Sequence, residues 1–247
     1  MAFNSLTTRM PNGLTNAEAG ETFGAAGTPD PTWSFQYAND FDNYVTTDFT
    51  TTVVGTGTVA GTDFEGGAIL LTNTTGATDA IYMQRRNAQF KLVGGKDAFF
   101  KFSGQLSAVT NLAFYCGLIA TSSTPLSAND GLFLHKASGA ATLVLRHVIG
   151  GVVTDTALPA IETLVAGALF ELGFHVDPAG NVEVFFNPGT GTAVLNPATA
   201  ARGRVAVLNA PAGGLTQVLL CPSFGILNST GVANTLTADF IVAARNR

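Results

Sequence analysis

Asp40 and Asp42 are the clearest grouping in this chain of side chains that could do chemistry. In an extended strand, residues i and i+2 lie on one face, so the two carboxylates would be neighbours. Such a pair could flank a glycosidic bond, as glycoside hydrolases require, or ligate Ca²⁺. The alternating ligand positions of a calcium-binding loop are absent here, and acids at a strand entry commonly cap turns or face water. We therefore expect no catalytic role for this pair, with Ca²⁺ ligation as the open alternative.

The histidines offer no compact metal site. The chain has three of them, His135, His147 and His175, each on a different predicted strand. None belongs to a short-spaced ligand pair, so a metal site would need all three to converge. We expect His175 to form a weak surface pair with Glu183. His147 shares strand parity with two preceding leucines, which predicts a satisfied core or interface histidine.

Other site motifs are missing or ambiguous. The sequence has no G-x-S-x-G elbow, no P-loop and no dinucleotide fingerprint, so we expect no enzyme, catalytic residue or cofactor. Cys116 and Cys221 lie in apolar runs, where buried free thiols are the usual state, although the sequence leaves a disulfide open. The aromatic candidates for stacking on a sugar are Trp33, Tyr37, Tyr44, Tyr82 and Tyr115. Such residues are also typical of protein interfaces and of β-sheet cores.

Two hairpins can be predicted from these patterns. Residues 142–149 and 152–155 are β-rich and flank Gly150-Gly151, a pair that tolerates the two positive φ angles of a type I′ turn. In the second, residues 170–176 and 182–186 both place apolar side chains at even positions, around a turn at 177–181. Pairing Val176 with Val182 sets His175 opposite Glu183 on the other face.

The remaining pattern predicts an all-β protein. Alternation places Phe100, Phe102 and Leu106 on one face of a strand. In the last strand, Leu236, Ala238, Phe240 and Val242 are expected to share a face. Short apolar runs between turn residues from Trp33 onward are typical of a β-sandwich. Residues 1–32 lack periodicity and contain scattered apolar residues, so we expect an extended N-terminal arm, 1–32, before a sandwich domain, 33–247.

Charge is scarce in this chain. Charged residues make up 12% of it and hydrophobic residues 46%, against about 25% charged in ordinary soluble domains. The net charge of −5 and the absence of a basic stripe argue against nucleic acid as a partner. No apolar run is long enough for a membrane-spanning helix, and the N-terminus lacks the pattern of a secretory signal peptide. A surface of Thr, Ser, Asn and Gly predicts a subunit that packs against copies of itself or a larger assembly.

Residues 40–42, 170–187 and 237–242 resemble the entry, a hairpin and the closing strand of laminin-G and concanavalin-like jelly rolls. Residues 10–16 (MPNGLTN), 27–31 (GTPDP) and 129–133 (NDGLF) are similar to virion structural proteins of tailed bacteriophages. The second resemblance implies a capsid decoration or cement protein, without catalytic residues and often trimeric. Its partners would be the major capsid protein and itself. Its place would be the capsid surface, after assembly in the host cytoplasm. A carbohydrate-binding adhesin on a tail or fibre is the alternative.

Overall fold

The computed structural model describes residues 34–140, 142–158, 164–187, 204–209 and 214–247. Within these residues the chain forms β-strands and two short 3₁₀ turns, and none of its helices has the length and apolarity to cross a membrane. The strands are β1 (Ser34–Asn39), β2 (Phe49–Val54), β3 (Gly57–Thr62), β4 (Ala68–Asn73), β5 (Ala80–Arg85), β6 (Ala98–Leu106), β7 (Leu112–Ile119), β8 (Gly131–Lys136), β9 (Val144–Ile149), β10 (Val152–Ala157), β11 (Leu169–Val176), β12 (Val182–Asn187), β13 (Arg204–Leu208), β14 (Cys221–Asn228) and β15 (Thr235–Asn246). The expected arm, 1–32, and Trp33 lie outside the described residues.

The strands form two antiparallel sheets. The larger sheet has eight strands in the order β13-β12-β11-β6-β15-β4-β3, with β1 also paired to β15. The smaller sheet has seven strands in the order β10-β9-β8-β7-β14-β5-β2. Most neighbours are distant in the chain, so long-range pairing builds both sheets. The result is the all-β sandwich that the alternation of apolar residues predicts.

An aromatic cluster joins the two sheets. The Phe102 ring of the larger sheet lies 5.8 Å from that of Phe114 and 5.2 Å from that of Phe224, both in the smaller sheet. Phe170, on β11, is 5.4 Å from Phe114 in an edge-to-face contact. Offset and edge-to-face pairs each contribute about 0.5–1.5 kcal/mol beyond the apolar area that they bury. Phe100, Phe102 and Leu106 all lie in this core, as predicted.

Both predicted hairpins are confirmed. Gly150 and Gly151 have φ angles of 54° and 84°, and β9 and β10 pair around them with Ile149 opposite Val152. In the second hairpin Val176 lies opposite Val182 and His175 opposite Glu183. The register could be predicted because the turn and the buried face restrict the same strands.

The prediction for the last strand is wrong beyond Ala238. Leu236 and Ala238 are buried, but the register shifts between Ala238 and Phe240, where Asp239 is the extra residue of a β-bulge. An extra residue reverses the face of everything that follows it. Ile241 therefore enters the core together with Ala243, while Phe240 and Val242 lie half-buried on the other face.

Candidate functional site

A row of rings covers the outer face of the smaller sheet, the face turned away from the core. The Tyr115 ring lies 5.9 Å from that of Tyr82 and 6.2 Å from that of Phe133, and His135 lies directly opposite Tyr115. Gly225 makes room for this row: a Cβ there would lie 2.4 Å from the Ile81 carbonyl oxygen and 3.0 Å from Tyr115 Cε1. The absence of a side chain at Gly225 thus lets the Tyr115 ring approach the backbone of β14.

This row is closed to a ligand. Tyr115 is 0% exposed and Tyr82 6% exposed, and both pack with Leu126 and Ala128 from the loop between β7 and β8. Burial raises the pKa of Tyr82, and it raises that of Tyr115 further. The Tyr115 hydroxyl has no hydrogen-bond partner in the structure. Two of the five aromatic candidates for a sugar site are thus parts of a second apolar cluster.

The other aromatic candidates do not assemble into a stacking platform. Tyr37 and Tyr44 are both half-buried and pack against the main core. The Arg85 guanidinium lies 4.3 Å from the centre of the Tyr37 ring and occupies one of its faces. Burial raises the pKa of the Tyr37 hydroxyl, to which the Asn39 amide donates a hydrogen bond of 3.3 Å. Trp33 lies outside the described residues.

Asp155 is the carboxylate that the strand register places on the outer face of the smaller sheet. It lies opposite Arg146, whose Nε and Nη2 each donate a 2.7 Å hydrogen bond to one carboxylate oxygen. These hydrogen bonds from Arg146 hold the pKa of Asp155 below its usual range. A retaining glycosidase needs a second carboxylate about 5–5.5 Å from the first. The strand register pairs Asp155 with a guanidinium instead.

Asp40 and Asp42 do not share a strand face, which corrects the prediction. β1 ends at Asn39, and Phe41 takes a left-handed φ of 57°. The Asn39 side-chain oxygen accepts a 2.8 Å hydrogen bond from the Phe41 backbone amide, while the Phe41 ring enters the core 5.9 Å from that of Phe49. Both acids are exposed at this turn. Within the described part of the chain, no cluster of three or more His, Cys, Asp or Glu side chains could hold a metal ion.

The three histidines lie in three different places. His135 is on the outer face of the smaller sheet, where burial, followed by the Arg146 charge, lowers its pKa to about 4. His147 is buried at the core side, and burial lowers its pKa as well. It shares the core-facing parity of Leu143 and Leu145, as predicted, and its Nε2 has no hydrogen-bond partner in the structure. His175 lies on the larger sheet.

His175 forms a larger cluster than the predicted pair. Its Nδ1 lies 3.2 Å from Glu183, as the hairpin register predicts. Its Nε2 lies 2.8 Å from Asp97, and its ring stacks on Phe99 with centroids 4.4 Å apart. Asp97 also accepts a 2.8 Å hydrogen bond from Asn246 in the last strand. With a carboxylate on each ring nitrogen, His175 links β11 to β12 through Glu183 and to β15 through Asp97 and Asn246.

Sequence reasoning missed two buried polar groups. Lys136 is 0% exposed and donates hydrogen bonds of 2.7 Å and 3.1 Å to the carbonyl oxygens of Leu112 and Ala137; burial lowers its pKa to about 8. At one end of the core, the Oδ1 atom of Asn228, in β14 of the smaller sheet, accepts two hydrogen bonds. Asn73, at the end of β4, donates one at 3.3 Å, and Asn234, just before β15, donates the other at 2.9 Å. Lys136 follows Leu132 and Leu134 in the alternation of β8 and therefore lies on the same, core-facing side of the strand. This alternation was the sequence signal that could have predicted its burial.

Three strands at sheet edges lack the usual protection. Among the strands that the structure describes, β2, β3 and β10 end their sheets, and each is six residues long. Asp155 is the one charged residue among them, and none contains Lys or Pro. Soluble proteins usually protect such edges with charges, Pro or bulges, because unpaired backbone groups bind further strands. Val152 is 70% exposed, Val153 50% and Val53 43%. These bare edges are the strongest candidate interaction surface.

The fold is that of jelly-roll lectins and glucanases. No protein-family model matches this sequence, and no curated protein does. Among solved structures, a protein of unknown function from Shewanella oneidensis has a TM-score of 0.58 at 12% identity, covering 87% of each chain. The Bacillus licheniformis β-glucanase has a TM-score of 0.57 at 10% identity, over 85% of this chain and 97% of its own. Peanut lectin has a TM-score of 0.54 at 11% identity, over 86% and 97%. Identities this low establish the jelly roll alone.

Proposed function

We propose that this protein is a non-enzymatic structural component of a bacteriophage virion. It decorates the capsid surface and stabilises the head through contacts with the major capsid protein and with copies of itself. The observation that carries the proposal is the set of bare edges on β2, β3 and β10, in a chain that is 12% charged. Surfaces of this kind favour packing against other protein over remaining free in water.

The outer face of the smaller sheet supports a structural role over catalysis. Its rings are buried against Leu126 and Ala128, and Asp155 is held by Arg146. A cement protein needs contact area, and stable interfaces bury about 1,200–2,000 Å². Many such contacts repeated over a lattice hold a shell together by avidity, even when each contact is weak. A non-enzymatic subunit is therefore the reading that fits this face best.

The test is the copy number of this chain in purified virions of the phage that encodes it, relative to the major capsid protein. Copies comparable to the capsid protein would support a decoration role. A handful of copies would overturn that role and place the protein in a tail or fibre. Complete absence from the particle would overturn every virion role.

The arm, residues 1–32, has a separate test. Its scattered apolar residues suit contact with a neighbouring subunit or the shell, so deleting it should weaken particle binding and leave the sandwich folded. Circular dichroism of the truncated protein checks the fold. Undiminished decoration by a folded truncated protein would overturn the role of the arm, without affecting the proposed role of the sandwich.

A carbohydrate-binding adhesin is the second candidate. It is favoured by the jelly roll shared with peanut lectin and by the half-buried position of Tyr44 near the end of β1. Glycan-array binding that is lost in Tyr44→Ala or Trp33→Ala would establish this function. The same array with Asp40→Asn provides a control, because Asp40 is exposed at the same turn. Absence of binding by the folded protein to every glycan on the array would count against it.

A further inference from the structure

Strand β10 is unusual among the strands because it is bare on almost every side. It pairs with β9 along one edge, and none of the described strands pairs with its other edge. Five of its six residues are exposed and the sixth, Thr156, is half-exposed, so both faces as well as the edge meet solvent. Its one charged side chain, Asp155, is already bound by Arg146. No other charge on the strand opposes the addition of a further strand.

The hairpin determines which backbone groups of β10 are free. Ile149 and Val152 flank the two-residue turn and form a hydrogen-bonded pair, after which bonded and non-bonded pairs alternate. Val152, Thr154 and Thr156 therefore direct their amide and carbonyl groups toward β9. Val153, Asp155 and Ala157 direct theirs outward. These outward groups form a row of alternating donors and acceptors, which is what an added strand requires.

We propose that β10 pairs antiparallel with β10 of a second copy of this chain, about a two-fold axis that passes through Thr154. The two smaller sheets then become one continuous sheet across both copies. This contact deepens the proposed function, on which it rests, because a subunit that covers a shell needs a defined junction between copies. The interface is isologous, since the same strand serves both partners.

Charge selects the register. Strands related by a two-fold axis perpendicular to the sheet pair residues of the same face, so the axis lies at one residue. The largest overlap that such an axis permits, five of the six residues, places either Thr154 or Asp155 at that position. Asp155 would then oppose the same aspartate of the second copy, and directly opposed like charges are destabilising. With Thr154 on the axis, Val153 lies opposite Asp155 of the other copy and Val152 opposite its Thr156.

This register forms backbone hydrogen bonds between the outward groups of Val153 and Asp155 in both directions. It also covers the two most exposed large apolar residues of the strand, Val152 at 70% and Val153 at 50%. Each Asp155 keeps its own Arg146, so neither carboxylate loses a partner. A short edge of this kind gives a weak contact in solution that becomes effective when many copies are held on one lattice.

A cysteine at the axis tests this arrangement in the full-length protein. Thr154 is in a non-bonded position with respect to the second copy, where Cα atoms in antiparallel pairs are about 4.5 Å apart, within the range that a disulfide spans. The two native cysteines are buried and do not compete. Thr154→Cys should form a covalent dimer under mild oxidation at least about tenfold faster than Thr110→Cys, an exposed control in the loop between β6 and β7, away from the strand edges.

The register has its own check. Mixing Val152→Cys with Thr156→Cys protein should give the mixed dimer, while each variant alone should cross-link as slowly as Thr110→Cys. Equal cross-linking of all variants would overturn the proposal, because random collision would then explain the dimers. Self-cross-linking of Val153→Cys faster than that of Thr154→Cys would also overturn the proposal, because it would place the two-fold axis at position 153.

Val153→Pro tests the contact without cysteine chemistry. It removes one outward amide and leaves the pairing with β9 intact, because Pro is tolerated on an edge strand when its nitrogen faces solvent. Sedimentation should show self-association weakened by about tenfold or more, the effect of losing about 1.4 kcal/mol. Unchanged self-association in folded Val153→Pro protein would overturn the β10 contact. Virion copy number is measured independently, so failure of the proposed function is distinguishable from failure of this contact.

Discussion

The hairpins β9–β10 and β11–β12 have the same local construction and opposite environments. In β11–β12 one face alternates into the core, so that Phe174 and Val184 are both 0% exposed. In β9–β10 the second strand is exposed on both faces, although it pairs with its neighbour in an equally regular register. Turn residues and alternation determined both registers. What differs is the position of each hairpin in its sheet. β11 lies beside the central strand β6, whereas β10 is the last strand of the smaller sheet.

The two hairpins therefore contribute differently to the stability and to the interactions of the protein. β11–β12 contributes to the stability of one molecule, because its apolar face is covered by the opposite sheet. β10 contributes little to that stability and leaves its edge available to another molecule.

Phe174→Ala should destabilise the protein by about 3–5 kcal/mol, since it removes a buried ring that stacks 5.3 Å from Phe100. Val153→Ala on β10 should change the free energy of unfolding by less than about 0.5 kcal/mol, as is usual for exposed positions. Urea denaturation of both variants measures the difference. Equal losses would show that β10 is covered in the folded molecule and would contradict its exposure on both faces.

Lowering the pH should destabilise the protein through His135 on β8. The pKa of His135 is lowered to about 4 in the folded protein, from about 6.5 when unfolded. The unfolded chain therefore binds more protons as pH falls from 6.5 to 4, and up to about 3 kcal/mol of stability is lost over that interval. His135→Gln should lose this part of the pH dependence. Parallel pH profiles for the two proteins would contradict the assignment.

The turn of β9–β10 should be sensitive to one glycine and tolerant at the other. Gly151 has a φ of 84°, where a β-branched side chain is strained, so Gly151→Val should cost about 1–2 kcal/mol. Gly150 has a φ of 54°, which Asn accepts, so Gly150→Asn should be nearly neutral. Thermal unfolding of the pair measures both values. Similar losses at both positions would contradict a type I′ turn.

Asp155→Asn should have the smallest effect on the monomer. The ion pair with Arg146 is 38% exposed on the carboxylate side, and pairs of that kind contribute about 0–1 kcal/mol. Its effect on the register of self-association should be larger, because a neutral residue no longer excludes the axis at position 155. Asp155→Cys compared with Thr154→Cys in the cross-linking assay measures whether both axes then occur.

Much of the local structure was predictable, and the site was less so. The His175–Glu183 pair follows from one turn and one alternation, but Asp97, the third member of the cluster, lies just before β6 and 78 residues away in the chain. The Asp239 bulge was not predictable, since the residues around it alternate without interruption. Asp40 and Asp42 were expected on one strand face, and the left-handed Phe41 between them ended the strand first.

The scarcity of charge, the all-β class and the registers of both hairpins follow from the amino-acid sequence without reference to the tertiary structure. Each of these depends on composition or on residues within about ten positions of one another, where turn geometry and alternation act directly. Tertiary structure alone decided which strands lie at the edges, which rings close the outer face of the smaller sheet, and which carboxylates meet which cations. Those outcomes depend on pairing between distant strands, where many registers satisfy the local pattern and only the packing of two sheets around one core selects among them.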